Sequence, residues 1–356
     1  MPFALCALRL EILMEDYPMA MVTAPGKVEF VKRTLPPMGD HDVLLRVKAS
    51  SICGGDIHLY RGKHPLASLP MAIGHEISGE IIQAGHAVTK VTVGDRVAVE
   101  PVITCRTCPF CLRGEYHLCE NIRYQYSAGQ GGFTPYFVAS QDWVHRLPDS
   151  ISYEEGALLE PLAVAVHAAR KAEVGLGHSA AIFGAGGIGL FLLQVVRAAG
   201  CGSVFISDLL EHRLETALKM GATAAIHAAK EDPVRRILEE TGGLGVDRSF
   251  EAVGVEKTLY QSAQCLKKGG ICALIGLFEA PHEVHFPVNL FAQKEIQIRG
   301  CRGYCWDFQI ALDLVKKGVI RLRPLISHQF PLADLSRAFE TLLDPKGQAN
   351  KVIIQA

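Results

Sequence analysis

The chain has 356 residues, 49% hydrophobic and 21% charged, with a formal net charge of −1. That length suggests two domains with material for real cores, and the near-neutral balance offers no basic field to nucleic acid or anionic lipid. No apolar run is long enough to span a bilayer, and the composition excludes disorder, collagen and coiled coil.

The opening stretch, residues 1–13, is apolar but short, is interrupted by Arg9 and Glu11 and lacks a small-residue cleavage site. It reads as a ragged extension rather than a signal peptide. Residues 19–148 carry short β-like runs (43–47, 77–82, 96–99) punctuated by Gly and Pro, which predicts a mostly-β region with functional loops. From 154 to 299 short apolar runs alternate with helical stretches: strand 180–183, helix 187–199, strand 204–207, helix 211–220, then strands 246–251 and 271–275. This is the rhythm of βαβ units on a parallel sheet. The run 271–278 suits either an interior strand or a pairing across a two-fold axis. After residue 300 a helical stretch, 308–317, precedes β-like ends at 325–330 and 351–354. The tail is expected to return to the first domain, making that domain discontinuous.

Eleven cysteines form no secreted disulfide framework: the count is odd, and a chain this long needs no staples. A reducing cytoplasm is expected instead. Four of them, in Cys105-x2-Cys108-x2-Cys111-x7-Cys119, supply four thiolates within one loop. Zinc prefers tetrahedral sulfur ligation, and a site filled by four protein ligands is structural. The spacing matches neither ferredoxin pattern, which ranks an iron–sulfur cluster lower.

Gly184-Ala-Gly186-Gly187-Ile188-Gly189 matches G-x-G-x-x-G between a buried strand run and a helical stretch. Gly184 permits a tight turn, Gly186 lets a pyrophosphate approach the backbone, and Gly189 allows close helix–strand packing. Asp208 ends the next strand. A carboxylate there accepts bonds from ribose hydroxyls and repels a 2′-phosphate, favouring NAD over NADP, with Arg213 near enough to soften the preference.

A scattered set completes the picture: Cys53-Gly-Gly-Asp56, Gly74-His75-Glu76 and Glu160-Pro161. His75-Glu76 is no part of an HExxH motif, because position 79 is Gly. Together with Gly74-His75-Glu76-x2-Gly79-x5-Gly85, the four-cysteine lobe and the glycine loop with Asp208, these residues resemble the zinc-dependent medium-chain alcohol and polyol dehydrogenases over nearly the whole chain. Glu160-Pro161-Leu162-Ala-Val is similar to the sorbitol-dehydrogenase branch; simple alcohol dehydrogenases place a cysteine there.

The resemblance implies an α/β chain: a GroES-like mostly-β catalytic domain (1–162 and 300–356, with a structural zinc lobe at about 100–122) and a Rossmann doubly wound parallel-sheet cofactor domain (163–299). It implies a catalytic zinc on Cys53 and His75 with Glu76 and Glu160 as acidic ligands, one of the two acting through water or transiently. Asp56 would accept the other ring N–H of His75 and fix its tautomer. His58 would relay the substrate proton, and Ile275, Gly276 and Leu277 would join the cofactor contacts. Two positions depart from the family: Gly55 stands where relatives carry Ser or Thr, so a water is expected to bridge to His58. Gly303 takes the place of an arginine beside Tyr304, which leaves Arg302 and Tyr304 as substrate contacts.

The implied activity is oxidation of a secondary hydroxyl of a polyol, sugar or diol to a ketone with NAD and two zinc ions per chain, in a cytoplasmic homotetramer or dimer without nucleic-acid or membrane partners. An open zinc position facing a hydroxyl supports this, since the ion lowers the pKa of an oxygen bound to it. The alternatives are an L-threonine or amino-alcohol dehydrogenase, which usually has a different tripeptide after the acidic ligand, and a non-catalytic zinc or NAD sensor. Retention of Cys53, His75 and Glu160 together argues against the sensor.

Overall fold

Residues 42–51 bury Val43, Leu44, Leu45, Val47 and Ala49 on both faces, as a strand with neighbours on each side must. The computed structural model describes residues 16–279 and 282–356; the expected extension at 1–13 lies outside them. In it, the strand Asp42–Ser51 is central to a seven-stranded sheet. It pairs antiparallel with Glu76–Ala84, Tyr136–Ser140 and Lys351–Gln355, and Arg96–Val99, Val144–Arg146 and Ile326–Pro331 complete the sheet. Val43, Leu45, Val47, Ile77, Ile81, Val97, Val99 and Phe137 form its core. Val102–Ile103 pairs with Arg123–Tyr124 and closes the base of the four-cysteine lobe.

The chain divides into two units. The first holds the described residues through Glu160, with His328–Leu343 and Lys351–Ala356; the second holds Pro161–Ser327 and Asp344–Asn350. The return expected at residue 300 therefore falls at 328. The reason lies in Asp307, fully buried at the start of the helix Asp307–Lys316. Its carboxylate lies 2.7 Å from His167 Nδ1 and accepts from Arg170 Nη1 at 2.5 Å, so this helix is fastened inside the second unit.

The second unit is a six-stranded, wholly parallel sheet. Its spatial order is Ala224–His227, Ser203–Asp208, Ser179–Phe183, Val246–Glu251, Leu266–Leu274, Gln297–Gly300. The first strand in sequence sits in the middle and the order reverses beside it. That reversal is the switch point at which doubly wound sheets bind dinucleotides, outside the strands' carboxyl ends. Leu266–Leu274 is hydrogen-bonded on both sides, so residues 271–274 of the run 271–278 form an interior strand, and residues 275–278 lie beyond it. Among the described residues no helix is long and apolar enough to cross a membrane.

Candidate active site

Register brings the scattered motifs together. Ser51 pairs with Glu76, so the chain leaving one strand at Cys53 meets the chain entering the other at His75. Cys53 caps the helix Gly54–Tyr60, its Sγ accepting the Gly55 N–H at 3.4 Å. Asp56, 1% exposed, fastens both loops: Oδ2 accepts the Cys53 N–H and Oδ1 the Gly74 N–H, each at 3.0 Å. The expected bond from the His75 ring is not formed. Nδ1 and Oδ1 are 3.8 Å apart, beyond hydrogen-bond reach, because both carboxylate oxygens are turned to backbone donors. Asp56 positions the loops rather than the tautomer.

Donor atoms of Cys53, His75 and Glu76 lie within 4.8 Å of one another. Glu160, in the first turn of Leu159–Lys171 and 7% exposed, stands outside that group but close enough for its charge to act on His75. Glu76 Oε2 accepts from Lys351 Nζ at 2.5 Å, and the same ammonium donates to the Ile52 carbonyl at 3.1 Å. Glu76 Oε1 is buried with no hydrogen-bond partner among the described residues. Burial opposes charge on His75, yet Cys53, Asp56 and Glu160 outweigh it and lift its pKa well above the ordinary histidine value. Burial also pushes the Cys53 thiol and the Asp56 carboxyl upward. An excess of acidic donors around one imidazole, with an orphaned carboxylate oxygen among them, fits a divalent cation. One sulfur, one imidazole nitrogen and carboxylate oxygen suit zinc.

His58 is half-buried in the last turn of Gly54–Tyr60. His64, not singled out from sequence, lies near it: burial first, then the charges of His58 and His75, lower its pKa. Two further residues were not legible as site residues. Lys351 opens a strand whose next three residues are apolar and buried, a lone charge that signals a buried partner. Tyr126, whose ring centroid lies 5.6 Å from that of His75, carries no local signal. A Cβ at Gly55 would meet only Cys53 Sγ, at 3.9 Å, so there is open room beside that sulfur. In the second unit Tyr304 is buried against Phe308 with centroids 6.1 Å apart, while Arg302 is exposed.

The four sulfurs of Cys105, Cys108, Cys111 and Cys119 also lie within 4.8 Å of one another. The Thr107 and Cys108 backbone N–H groups pull the Cys105 thiol down to about 5, while burial and the neighbouring sulfurs push Cys111 up to about 12. Four thiols this close cannot all ionise without a cation, so the lobe fits a tetrahedral metal.

In the second unit Gly184 has φ of 102°, a conformation that favours glycine. A Cβ on Gly189 would overlap the Gly184 carbonyl oxygen, whereas one on Gly186 would meet only Arg213 Nη1, at 3.9 Å. Gly186 thus leaves a cradle beside the opening of the helix Gly187–Ala198, where the first N–H groups of Gly187, Ile188 and Gly189 suit an anion. Asp208 is not a helix cap: the helix Glu211–Lys219 is capped by Leu210. Its carboxylate accepts Ala185 N–H at 2.7 Å, Leu209 N–H at 2.7 Å and Leu210 N–H at 3.0 Å, and Arg213 Nη1 stands 3.8 Å away. With about four acceptor positions on a carboxylate, capacity remains for a ribose hydroxyl. The amides of Ile275 and Gly276 donate to the Glu251 carbonyl at 2.9 and 3.0 Å, and a Cβ on Gly254 would strike the Leu277 carbonyl. These three residues are thereby interlocked with the loop after Val246–Glu251.

Two family descriptions match this architecture: an alcohol dehydrogenase GroES-like domain over residues 39–149 and a zinc-binding dehydrogenase over residues 187–317. The chain is 36% identical over 328 residues to D-xylulose reductase of Saccharomyces cerevisiae, covering 89% of this chain and 91% of that protein. It is 35% identical over 324 residues to sorbitol dehydrogenase of Bacillus subtilis, covering 90% and 92%. The crystal structure of 2R,3R-butanediol dehydrogenase from Bacillus subtilis superposes with a TM-score of 0.85 at 32% identity, covering 96% of this chain and 99% of that one. The chain belongs to the zinc-dependent medium-chain dehydrogenases. Its relatives place it in the polyol branch of that family, whose enzymes use a nicotinamide dinucleotide.

Proposed function

We propose that the chain oxidises a secondary hydroxyl of a polyol, sugar or diol to the ketone, using NAD, with Cys53, His75 and Glu76 holding the catalytic zinc. The observation that carries this reading is the three donor atoms within 4.8 Å, one beside a buried carboxylate oxygen with no partner among the described residues. When bound, the metal acidifies the substrate hydroxyl and the nicotinamide accepts hydride from its carbon. The protein's own residues do the rest. Asp56 holds the loops of Cys53 and His75 at a fixed separation. Lys351 neutralises one oxygen of Glu76 and leaves the other for the metal. Glu160 stands behind His75 as a supporting anion. His58 takes the substrate proton through a water occupying the room beside Gly55, with His64 as its neighbour toward solvent. Cys105, Cys108, Cys111 and Cys119 hold a second, structural zinc. Asp208 orients the adenosine ribose and disfavours a 2′-phosphate. Thiolate ligands in both metal groups suit a reducing compartment such as the cytoplasm, and a dimer or tetramer follows the family analogy.

The test is a screen of NADH formation across four- to six-carbon polyols, 2,3-butanediol, sugar acids, inositols and threonine, with zinc counted by elemental analysis. The reading expects turnover of at least one polyol or diol by a protein with both metal groups filled. A protein holding both zinc ions that oxidises none of these polyols and diols refutes it. Glu76→Gln is expected to lose catalytic zinc on dialysis while Glu160→Gln keeps it; the reverse order would exchange their roles.

A further inference from the structure

The phenol of half-buried Tyr126 stands beside the metal group and makes no hydrogen bond among the described residues. Its ring lies 5.6 Å from the His75 imidazole, tilted by 46°, and Tyr124 stacks on its other side at 5.4 Å and 7°. The short helical turn Gln125–Ala128 carries it, anchored where Gln125 N–H donates to the Pro101 carbonyl at 3.1 Å. The ring also packs against the buried cluster of Tyr17, Met19 and Ala72, so its position is fixed from three directions. At neutral pH its phenolic hydroxyl is protonated and serves as a donor. A half-buried tyrosine hydroxyl facing a site is open to a ligand oxygen. Among the described residues this one has no hydrogen-bond partner.

We propose that Tyr126 is a specificity-determining residue that donates a hydrogen bond to a second oxygen of the substrate, adjacent to the reacting hydroxyl, and so selects vicinal diols and polyols over monohydric alcohols. A site built to bond a substrate hydroxyl discriminates strongly against the analogue lacking it, because its polar group is then left unpaired. This inference rests on the dehydrogenase reading above and adds the residue that sets its substrate class.

The experiment compares Tyr126→Phe, which keeps the ring against His75, with the parent enzyme on 2,3-butanediol and on 2-butanol. The variant is expected to lose about 10- to 100-fold in kcat/KM on the diol, mostly in KM, and to act unchanged on 2-butanol. Calorimetric binding of the diol to the NADH-loaded holoenzyme weakens by the same factor, and zinc content stays at the parent level. Equal losses on both alcohols would make Tyr126 a support for His75 and overturn the proposal, as would no loss on either. A parent enzyme that turns over neither alcohol nor any polyol refutes the dehydrogenase reading itself; an active parent with an unchanged diol preference in the variant refutes this inference alone.

Discussion

Asp56→Asn is the sharpest probe of how the metal group is assembled. The native carboxylate accepts two backbone N–H bonds at 3.0 Å, one from each ligand-bearing loop. An amide keeps one acceptor oxygen and turns two N–H donors toward the other loop, so one buried backbone donor faces a donor. A lost bond to a charged group costs about 1.5–3 kcal/mol and the stranded N–H a similar amount; relaxation of the exposed side of the turn at Gly54 and Gly55 offsets part of it. A net loss of about 2–3 kcal/mol corresponds to roughly 30- to 150-fold in an equilibrium constant. Because the separation of the Cys53 and His75 loops is what the bond fixes, much of that loss should appear as weaker catalytic zinc binding. Competition with a chromophoric chelator measures it, the four-cysteine zinc serving as an internal control. Catalytic zinc affinity within about threefold of the parent, in a folded Asp56→Asn protein, would show that loop positioning by Asp56 is not what assembles the site.

Lys351→Met removes the ammonium beside a carboxylate that is 1% exposed; breaking such a pair should cost about 3–5 kcal/mol, read as a lower urea midpoint, and a midpoint at the parent value would contradict it. Gly186→Ala should leave thermal stability unchanged but weaken NADH binding, since its Cβ meets only Arg213. Gly189→Ala, whose Cβ overlaps the Gly184 carbonyl, should lower both; paired melting and NADH titrations that show equal effects would refute the division. Burial raises the Asp247 carboxyl, but Lys267 and the Ser179 backbone and hydroxyl outweigh it and bring it down to about 2. Its folded value lies below its unfolded one, so its contribution is full above about pH 4 and fades as pH falls toward 2. Asp247→Asn should therefore destabilise the second unit at neutral pH and converge with the parent near pH 2; a difference that persists there would refute this.

The sequence made the cofactor loop readable because its chemistry is local. Gly184, Gly186 and Gly189 each answer to a neighbour within the same turn, and spacing alone carries that information. The strand–helix rhythm from Ser179 to Asp208 was readable for the same reason. The placement of the helix Asp307–Lys316 was not, since it depends on His167 and Arg170, well over a hundred residues earlier. Glu76 and Lys351 are 275 positions apart, and no pattern around either residue names the other. The role of Asp56 was misjudged at a finer level: its neighbourhood to His75 was right, but hydrogen-bond direction depends on which backbone N–H groups the turn at Gly74 leaves unsatisfied, a property of register.

Ser51 explains why one site collects residues from so far apart. It pairs with Glu76 on one side and with Ile353 on the other, so three adjacent strands present Cys53, His75 with Glu76, and Lys351 at one end of the sheet. The consequence is electrostatic as well as geometric. Cys53, Asp56, Glu76 and Glu160 gather four acidic groups around one imidazole, and Lys351 offsets part of that charge from the strand side. A carboxylate held by an ammonium gives less of its charge to a metal, which leaves the ion more electrophilic toward a hydroxyl. With zinc held as proposed, the sheet would therefore set both where the ion sits and how strongly it acts, and the C-terminal strand that supplies Lys351 would be part of the chemistry rather than only part of the fold.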